Sequence, residues 1–307
     1  MSMELTGLEG KVAVVTGAGR MRSIGRAIAV GLAGAGCDVV VTGTGRDPNS
    51  YPEAEKEAGW RDIDSVAEEI EALGRRALPL VSTVTDPFAV DLVASYTMKE
   101  LGRVDFVVNN AGPARGLDRN PVVDVPLDAW RRVVDVNLNG AFYMSRAFGR
   151  RLIEQGEGGA IINISSIAGK VFGPNQAAYA ASKAGQNALT ACMAREMGQH
   201  KVRVNSICPG LVDTSRMDDM PRGGKDAAAQ EGVSGGGKDT ARQEGIQEET
   251  PPGMGFDWDE YVQTAIPMGR AGEGEDIANA AVYLCSAQGA WITGQSINVD
   301  GGNCVWH

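Results

Sequence analysis

The sequence is poor in the residue types that build metal centres and disulfide frameworks. Its only histidines are His200 and His307, and neither has a companion at ligand spacing, so no catalytic metal site is expected. The five cysteines, Cys37, Cys192, Cys208, Cys285 and Cys304, are odd in number and scattered, with no Cys-x-x-Cys pair. That argues against a stapled secreted fold and for reduced, mostly buried thiols in a cytoplasmic protein. Lysines and arginines total 29 against 39 aspartates and glutamates, a net charge of −10, which excludes a general nucleic-acid binder. No apolar run reaches membrane-spanning length. Residues 1–10 lack the basic-then-apolar pattern of a signal peptide, so no membrane association is expected.

What remains is a 307-residue chain with an ordinary hydrophobic share of 43%, enough to bury a full core. Residues 11–16 (K-V-A-V-V-T) read as a buried strand, and residues 26–34 as a helix. Between them lies the glycine-rich turn Gly17-Ala-Gly-Arg-Met-Arg-Ser-Ile-Gly25. Strand, turn and helix form a phosphate cradle: glycines admit close backbone approach, and the helix N-terminus offers free N–H groups. Gly17, Arg20, Ser23 and Ile24 are the candidate contacts there. Residues 38–42 (D-V-V-V-T) complete a βαβ unit, the signature of dinucleotide binding.

Strand then alternates with helix to the end. Helices are expected at 63–73, 87–101, 130–151, 179–198 and 276–286, and strands at 77–81, 104–108, 160–165, 202–208 and 295–300. Alternation of this kind gives a doubly wound parallel sheet covered on both faces: one Rossmann-type α/β domain over residues 1–307. Residues 47–62 read as a polar loop. Residues 215–262 break the pattern with a glycine- and charge-rich excursion, expected to be a flexible lid over the substrate.

The residue at the end of the second strand discriminates between nicotinamide dinucleotides. An acidic residue there would bind the adenosine ribose hydroxyls and repel a 2′-phosphate. The chain has Gly43-Thr44-Gly45-Arg46 instead, with no carboxylate before Asp47. Thr44 and Arg46, with Arg20 nearby, suggest a phosphate pocket, so NADP(H) is expected ahead of NAD(H). Thr83 and Val84 should border the adenine, and Asn110, Ala111 and Gly112 close the crevice after the fourth strand.

The chemistry-bearing stretch is Tyr179-Ala-Ala-Ser-Lys183. On a helix, positions i and i+4 share a face, and an ammonium beside a phenol favours the phenolate. Ser166, on the loop before that helix, could complete a site for a carbonyl or an alcohol. Asn137, inside the helix at 130–151, suggests a local kink held by its side chain.

With these motifs in order, the chain resembles the short-chain dehydrogenase/reductases, in the single-domain ketoreductase and alcohol dehydrogenase branch. The resemblance rests on T-G-x-G-R, N-N-A-G at 109–112, V-N-L-N-G around Asn137, S-S-I-A-G with Ser166, Y-A-A-S-K at 179–183, P-G-L-V-D-T at 209–214 and the closing I-T-G-Q-S-I-N-V-D-G-G. It implies a NAD(P)-dependent oxidoreductase that interconverts a ketone and a secondary alcohol, with Asn137, Ser166, Tyr179 and Lys183 as the catalytic set. Tyr179 is then the general acid or base. Lys183 also binds the nicotinamide ribose, Ser166 binds the substrate oxygen, and Asn137 holds the kink and a water that links Lys183 to solvent. Pro209, Gly210, Val212 and Thr214 join the dinucleotide contacts, and the resemblance implies a homo-oligomer, most often a tetramer, packed through the helices at 130–151 and 179–198. The turn departs from the family pattern: Met21-Arg22-Ser23 replaces its middle glycine and lengthens the loop, a spacing similar to the enoyl reductase branch. Thr83 stands where an aspartate is usual. Enoyl reduction, or dinucleotide sensing without turnover, are the alternative readings.

Overall fold

The computed structural model describes residues 4–218 and 258–305. Most of the excursion expected as a lid, residues 219–257, lies outside the described residues. Strands β1 (Val12–Thr16), β2 (Asp38–Gly43), β3 (Ala77–Val81), β4 (Phe106–Asn109), β5 (Gly159–Ile164), β6 (Val202–Pro209) and β7 (Ser296–Val299) form one sheet in the order β3-β2-β1-β4-β5-β6-β7. Every pairing is parallel. The order reverses between β1 and β4, and a crevice opens there at the C-terminal ends of the strands.

Period-2 alternation distributes each strand between two cores. Ala13 and Val15 of β1 face a cluster with Ile28 and Leu32 of α1 (Ile24–Gly34), Ile70 of α3 (Ile63–Ala72) and Ile277 of the C-terminal helix Gly274–Cys285. Val12 and Val14 face the opposite cluster, where Val93 of α4 (Pro87–Leu101), Phe148 of α6 (Gly140–Gln155) and Met193 of α7 (Ala177–Met197) pack. Ile28, Leu32, Ile70 and Phe148 are completely buried, and burial of such side chains contributes on the order of 1.5–3 kcal/mol each. The helices start and stop as their residues dictate. Ser23 Oγ accepts the Arg26 N–H at 3.2 Å to cap α1, Asp86 caps α4, and Gly102 and Gly156 end α4 and α6 in the left-handed conformation.

One local expectation is corrected. The 47–62 stretch is not a plain loop: it contains a 3₁₀ turn, Pro48–Ser50, and the short helix α2 (Glu53–Glu57). The helix expected at 130–151 with a kink at Asn137 is α5 (Leu127–Val134), a π-helical turn Asp135–Asn139, and α6, so the interruption falls where expected. Asn137 lies inside the π turn and is fully buried. Its Nδ2 donates to Ser182 Oγ on α7 at 3.0 Å, so the irregularity is braced by a neighbouring helix rather than by its own backbone.

Candidate active site

Two adjoining cavities fill the crevice. The first, about 370 Å³, is lined by the glycine turn, the end of β2 and the β4 loop. It brings together Gly17, Arg20, Ser23, Ile24, Thr44, Arg46, Thr83, Val84, Asn110, Ala111 and Gly112, all named from the sequence. The second, about 260 Å³, holds Ser166, Tyr179, Lys183, Pro209, Gly210, Val212 and Thr214. Ile24, Asn110, Thr214 and Arg216 line both, so the two cavities share a wall.

The turn that forms the first cavity needs its glycines. Gly17 has φ +68°, and a Cβ there would lie 2.8 Å from the Ala111 Cα. The missing middle glycine is compensated by the 47–62 segment, which folds back onto the lengthened turn. Glu55 Oε1 accepts the Met21 N–H at 2.9 Å, and Trp60 Nε1 donates to Gly19 O at 2.6 Å.

That segment also corrects the phosphate-pocket reading of Arg46. Its Nη1 donates to Glu55 Oε2 at 2.8 Å, and its Nε and Nη2 donate to Asp62 Oδ1 at 3.1 and 3.0 Å. The guanidinium stacks over the Tyr51 ring at 4.5 Å. Burial works against the charge, but these carboxylates outweigh it and hold Arg46 above the ordinary arginine range. Its fork is thus occupied, whereas Arg20 has no side-chain hydrogen bond among the described residues. Asp62 is a site residue the sequence reading missed. It lines the cavity beside Gly43 and is 6% exposed, yet its Oδ2 has no hydrogen-bond partner. Its backbone is strained for a non-glycine residue, at φ +55° and ψ −127°.

In the second cavity Ser166 leads a short 3₁₀ turn. Its Oγ accepts the Ala168 N–H at 3.1 Å, which leaves the hydroxyl hydrogen to be donated. Tyr179 and Lys183 sit one helical turn apart on α7, with Lys183 Nζ 5.8 Å from the Tyr179 ring centre. Lys183 is buried and donates to Ile164 O at 2.8 Å and Gln186 Oε1 at 2.9 Å, so one of its three N–H groups remains. Burial, then the nearby Arg216, push its ammonium down to about 7. Asn137 lines neither cavity; it stands behind them, with Oδ1 buried and without a hydrogen-bond partner. No metal-ligating cluster of His, Cys, Asp or Glu occurs among the described residues, and no described helix is long and apolar enough to cross a membrane.

The arrangement fits a dinucleotide: a glycine turn ahead of a helix N-terminus, an orphaned buried carboxylate oxygen at the end of β2, and a continuous path to Tyr179. Residues 11–223 match the family model for short chain dehydrogenase. The chain belongs to the short-chain dehydrogenase/reductase family. A second model, described as enoyl-(acyl carrier protein) reductase, matches residues 231–303. Among relatives, the L-rhamnose 1-dehydrogenase (NAD(P)(+)) of Sphingomonas sp. is 34% identical over 97% of this chain and 98% of its own length. The 3-oxoacyl-(acyl-carrier-protein) reductase FabG of Escherichia coli is 32% identical over 96% and 97%. The crystal structure of carveol dehydrogenase from Mycobacterium avium, in complex with NAD, superimposes with a TM-score of 0.77 at 27% identity, covering 96% of this chain and 98% of that one. As a member of this family the protein is a NAD(P)-dependent oxidoreductase with a single Rossmann-like domain.

Among the lining residues of the second cavity not named from the sequence are three arginines, Arg115, Arg119 and Arg216. Arg119 lies over the Tyr179 ring at 4.5 Å and Arg216 at 5.9 Å. Arg115 and Arg119 come from a loop and Arg216 from a short 3₁₀ turn, Ser215–Met217, where no periodicity announces a shared face.

Proposed function

We propose that the protein interconverts a ketone and a secondary alcohol, with Tyr179 giving a proton to the substrate oxygen in reduction and taking it in oxidation. The observation that carries this reading is the convergence of Tyr179, Ser166 and Lys183 on one cavity that shares a wall with the dinucleotide cleft. A bound nicotinamide supplies or accepts the hydride. Ser166, its Oγ already accepting from Ala168, directs its O–H at the substrate oxygen as negative charge grows there. Lys183 holds a cationic donor beside the phenol, and Asn137 positions α7 through Ser182.

The dinucleotide expectation is revised in favour of NAD(H). A buried carboxylate oxygen without a partner at the end of β2 calls for donors, and ribose hydroxyls are donors whereas a 2′-phosphate is not. Asp62 thus does from a folded-back segment what an acidic residue after β2 would do, and Arg20 is left for the pyrophosphate. Free cysteines, four of them buried, suit a cytoplasmic setting. Exposed Trp130, Phe142 and Ile153 on α5 and α6 suit burial against a second copy, in keeping with a tetramer.

The test is oxidation of NADH and NADPH against ketones, β-ketoesters, steroids, sugars and enoyl thioesters, with Tyr179→Phe beside the natural protein. The expected result is turnover of a carbonyl compound that falls about 10²- to 10⁴-fold in the variant, with dinucleotide affinity retained. Turnover indifferent to Tyr179 would overturn the reading. Tight dinucleotide binding with no turnover would point to sensing instead.

A further inference from the structure

We propose that the substrate carries a carboxylate, held by Arg119 and Arg216 close to the carbonyl or hydroxyl group that reacts. The reading rests on the reaction proposed above and names its substrate class: oxo acids and the corresponding hydroxy acids.

In a chain of net charge −10, the second cavity is lined by Arg115, Arg119, Lys183 and Arg216, and by no carboxylate among the described residues. Such a concentration of one sign against the overall charge draws anions into a cleft. Arg119 is four-fifths buried, with 20% of its side chain exposed. Its companion Asp118 approaches Nε at 3.2 Å, but out of line, so that Nε makes no hydrogen bond. Asp118 Oδ1 instead accepts the Gly116 N–H at 3.1 Å. Arg216 has no ion pair or hydrogen bond among the described residues, and one of its terminal nitrogens lies 3.0 Å from where a Cβ on Gly112 would stand. Two guanidinium groups with donors to spare, both within 6 Å of the Tyr179 ring centre, match the planar, two-oxygen geometry of a carboxylate. Burial lowers Arg119 below the ordinary arginine range, and Arg216 helps to lower Lys183. An anion between them relieves both effects and lets Lys183 keep its proton beside Tyr179. Arg216 also borders the dinucleotide cleft, so Arg119 is the residue whose role separates substrate from cofactor.

The test uses the NADH-loaded protein and a series of straight-chain 2-oxo and 3-oxo acids, each paired with its methyl ester. Binding is followed by the shift in melting temperature and turnover by NADH oxidation. At least one acid is expected to bind and react at least about tenfold better than its ester. Arg119→Gln and Arg216→Gln should erase that preference, lowering kcat/KM for the acid at least about tenfold more than for its ester, while the Arg119 variant retains its NADH affinity. Arg119→Lys, which keeps the charge and loses the fork, should recover part of it and guards against a folding defect in Arg119→Gln. The anion site is overturned if no acid in the series binds, if esters serve as well as acids, or if Arg119→Gln lowers acid and ester alike. Binding is also read on Tyr179→Phe: an acid that binds but is never reduced counts against the proposed reaction and not against the anion site.

Discussion

The two edges of the sheet treat charge in opposite ways. At the N-terminal edge, Asp105 is 3% exposed, and both of its oxygens are engaged. Oδ2 accepts the Val12 N–H at 2.9 Å and Arg103 Nε at 2.7 Å, while Oδ1 takes Arg103 Nη2 at 2.6 Å and Lys11 Nζ at 3.1 Å. Asp38 at the same edge is paired with Arg75 and Arg76. Among the described residues, single nitrogens are left over there, Arg75 Nε and Gln155 Nε2. At the C-terminal edge, Asp62 Oδ2, Asn137 Oδ1 and Arg119 Nε are orphaned, and Arg216 is unmatched among the described residues. Where charge holds strands in place, the fold pairs it; the unpaired polar groups gather at the end of the sheet where the two cavities lie.

The comparison breaks most severely if the N-terminal edge is unpaired. Asp105→Ala leaves the buried Val12 N–H without its partner and takes one of two carboxylates from Arg103 and Lys11, which keep Glu157, so the cost should be about 2–3 kcal/mol. Asp105→Asn, which can still accept from Val12, should cost roughly half of that. Denaturant unfolding measures both. A loss below about 1 kcal/mol for Asp105→Ala would mean that this edge is held by something other than its charges.

Lys183 sharpens the contrast because it is a buried cation on the functional side. The unfolded chain keeps this proton up to about 10.5, while the folded chain releases it at about 7. Between those values the unfolded state binds more protons, so this group makes stability rise with pH. Below about pH 7 it is charged in both states and costs folding free energy, on the order of a few kcal/mol. Lys183→Met should therefore stabilise the protein at pH 6.5 and progressively less towards pH 9.5, read from denaturation midpoints at fixed protein concentration. Parallel profiles for the two proteins would show that Lys183 is not held uncharged.

What could be read from the sequence follows from the same contrast. Strands with β-branched runs, such as Val39–Val41, and the helical spacing that puts Tyr179 and Lys183 one turn apart are local signals, and the fold places both as expected. Arg119 and Arg216 carry no local signal, because a loop and a 3₁₀ turn about a hundred residues apart meet over Tyr179 only in the fold. The ion pairs of Arg46 are not legible locally, because its partners Glu55 and Asp62 lie beyond the strand end that the dinucleotide rule inspects. The run Pro52-Glu53-Ala-Glu55 carries a helix-start signature, and taking it as a helix rather than a loop would have shown that the chain turns back towards the glycine turn.

Asp62 gives the smallest of these effects and the most selective. Its Oδ1 is held by Arg46, its Oδ2 has no partner, and its backbone is strained at φ +55°; on the NAD(H) reading proposed above, Oδ2 would accept from a ribose hydroxyl. Asp62→Asn keeps the size and one acceptor but removes the charge that repels a 2′-phosphate. NADH should bind about 10-fold more weakly, the loss of one charge-assisted hydrogen bond, while NADPH should improve, because Arg46 then lacks one of its two carboxylates and its fork turns partly free. A ratio of kcat/KM for the two dinucleotides that shifts towards NADPH supports the assignment. If Asp62→Asn weakens both dinucleotides equally, Asp62 serves only to brace Arg46 against the glycine turn, and the orphaned oxygen is a cost of that brace rather than a contact.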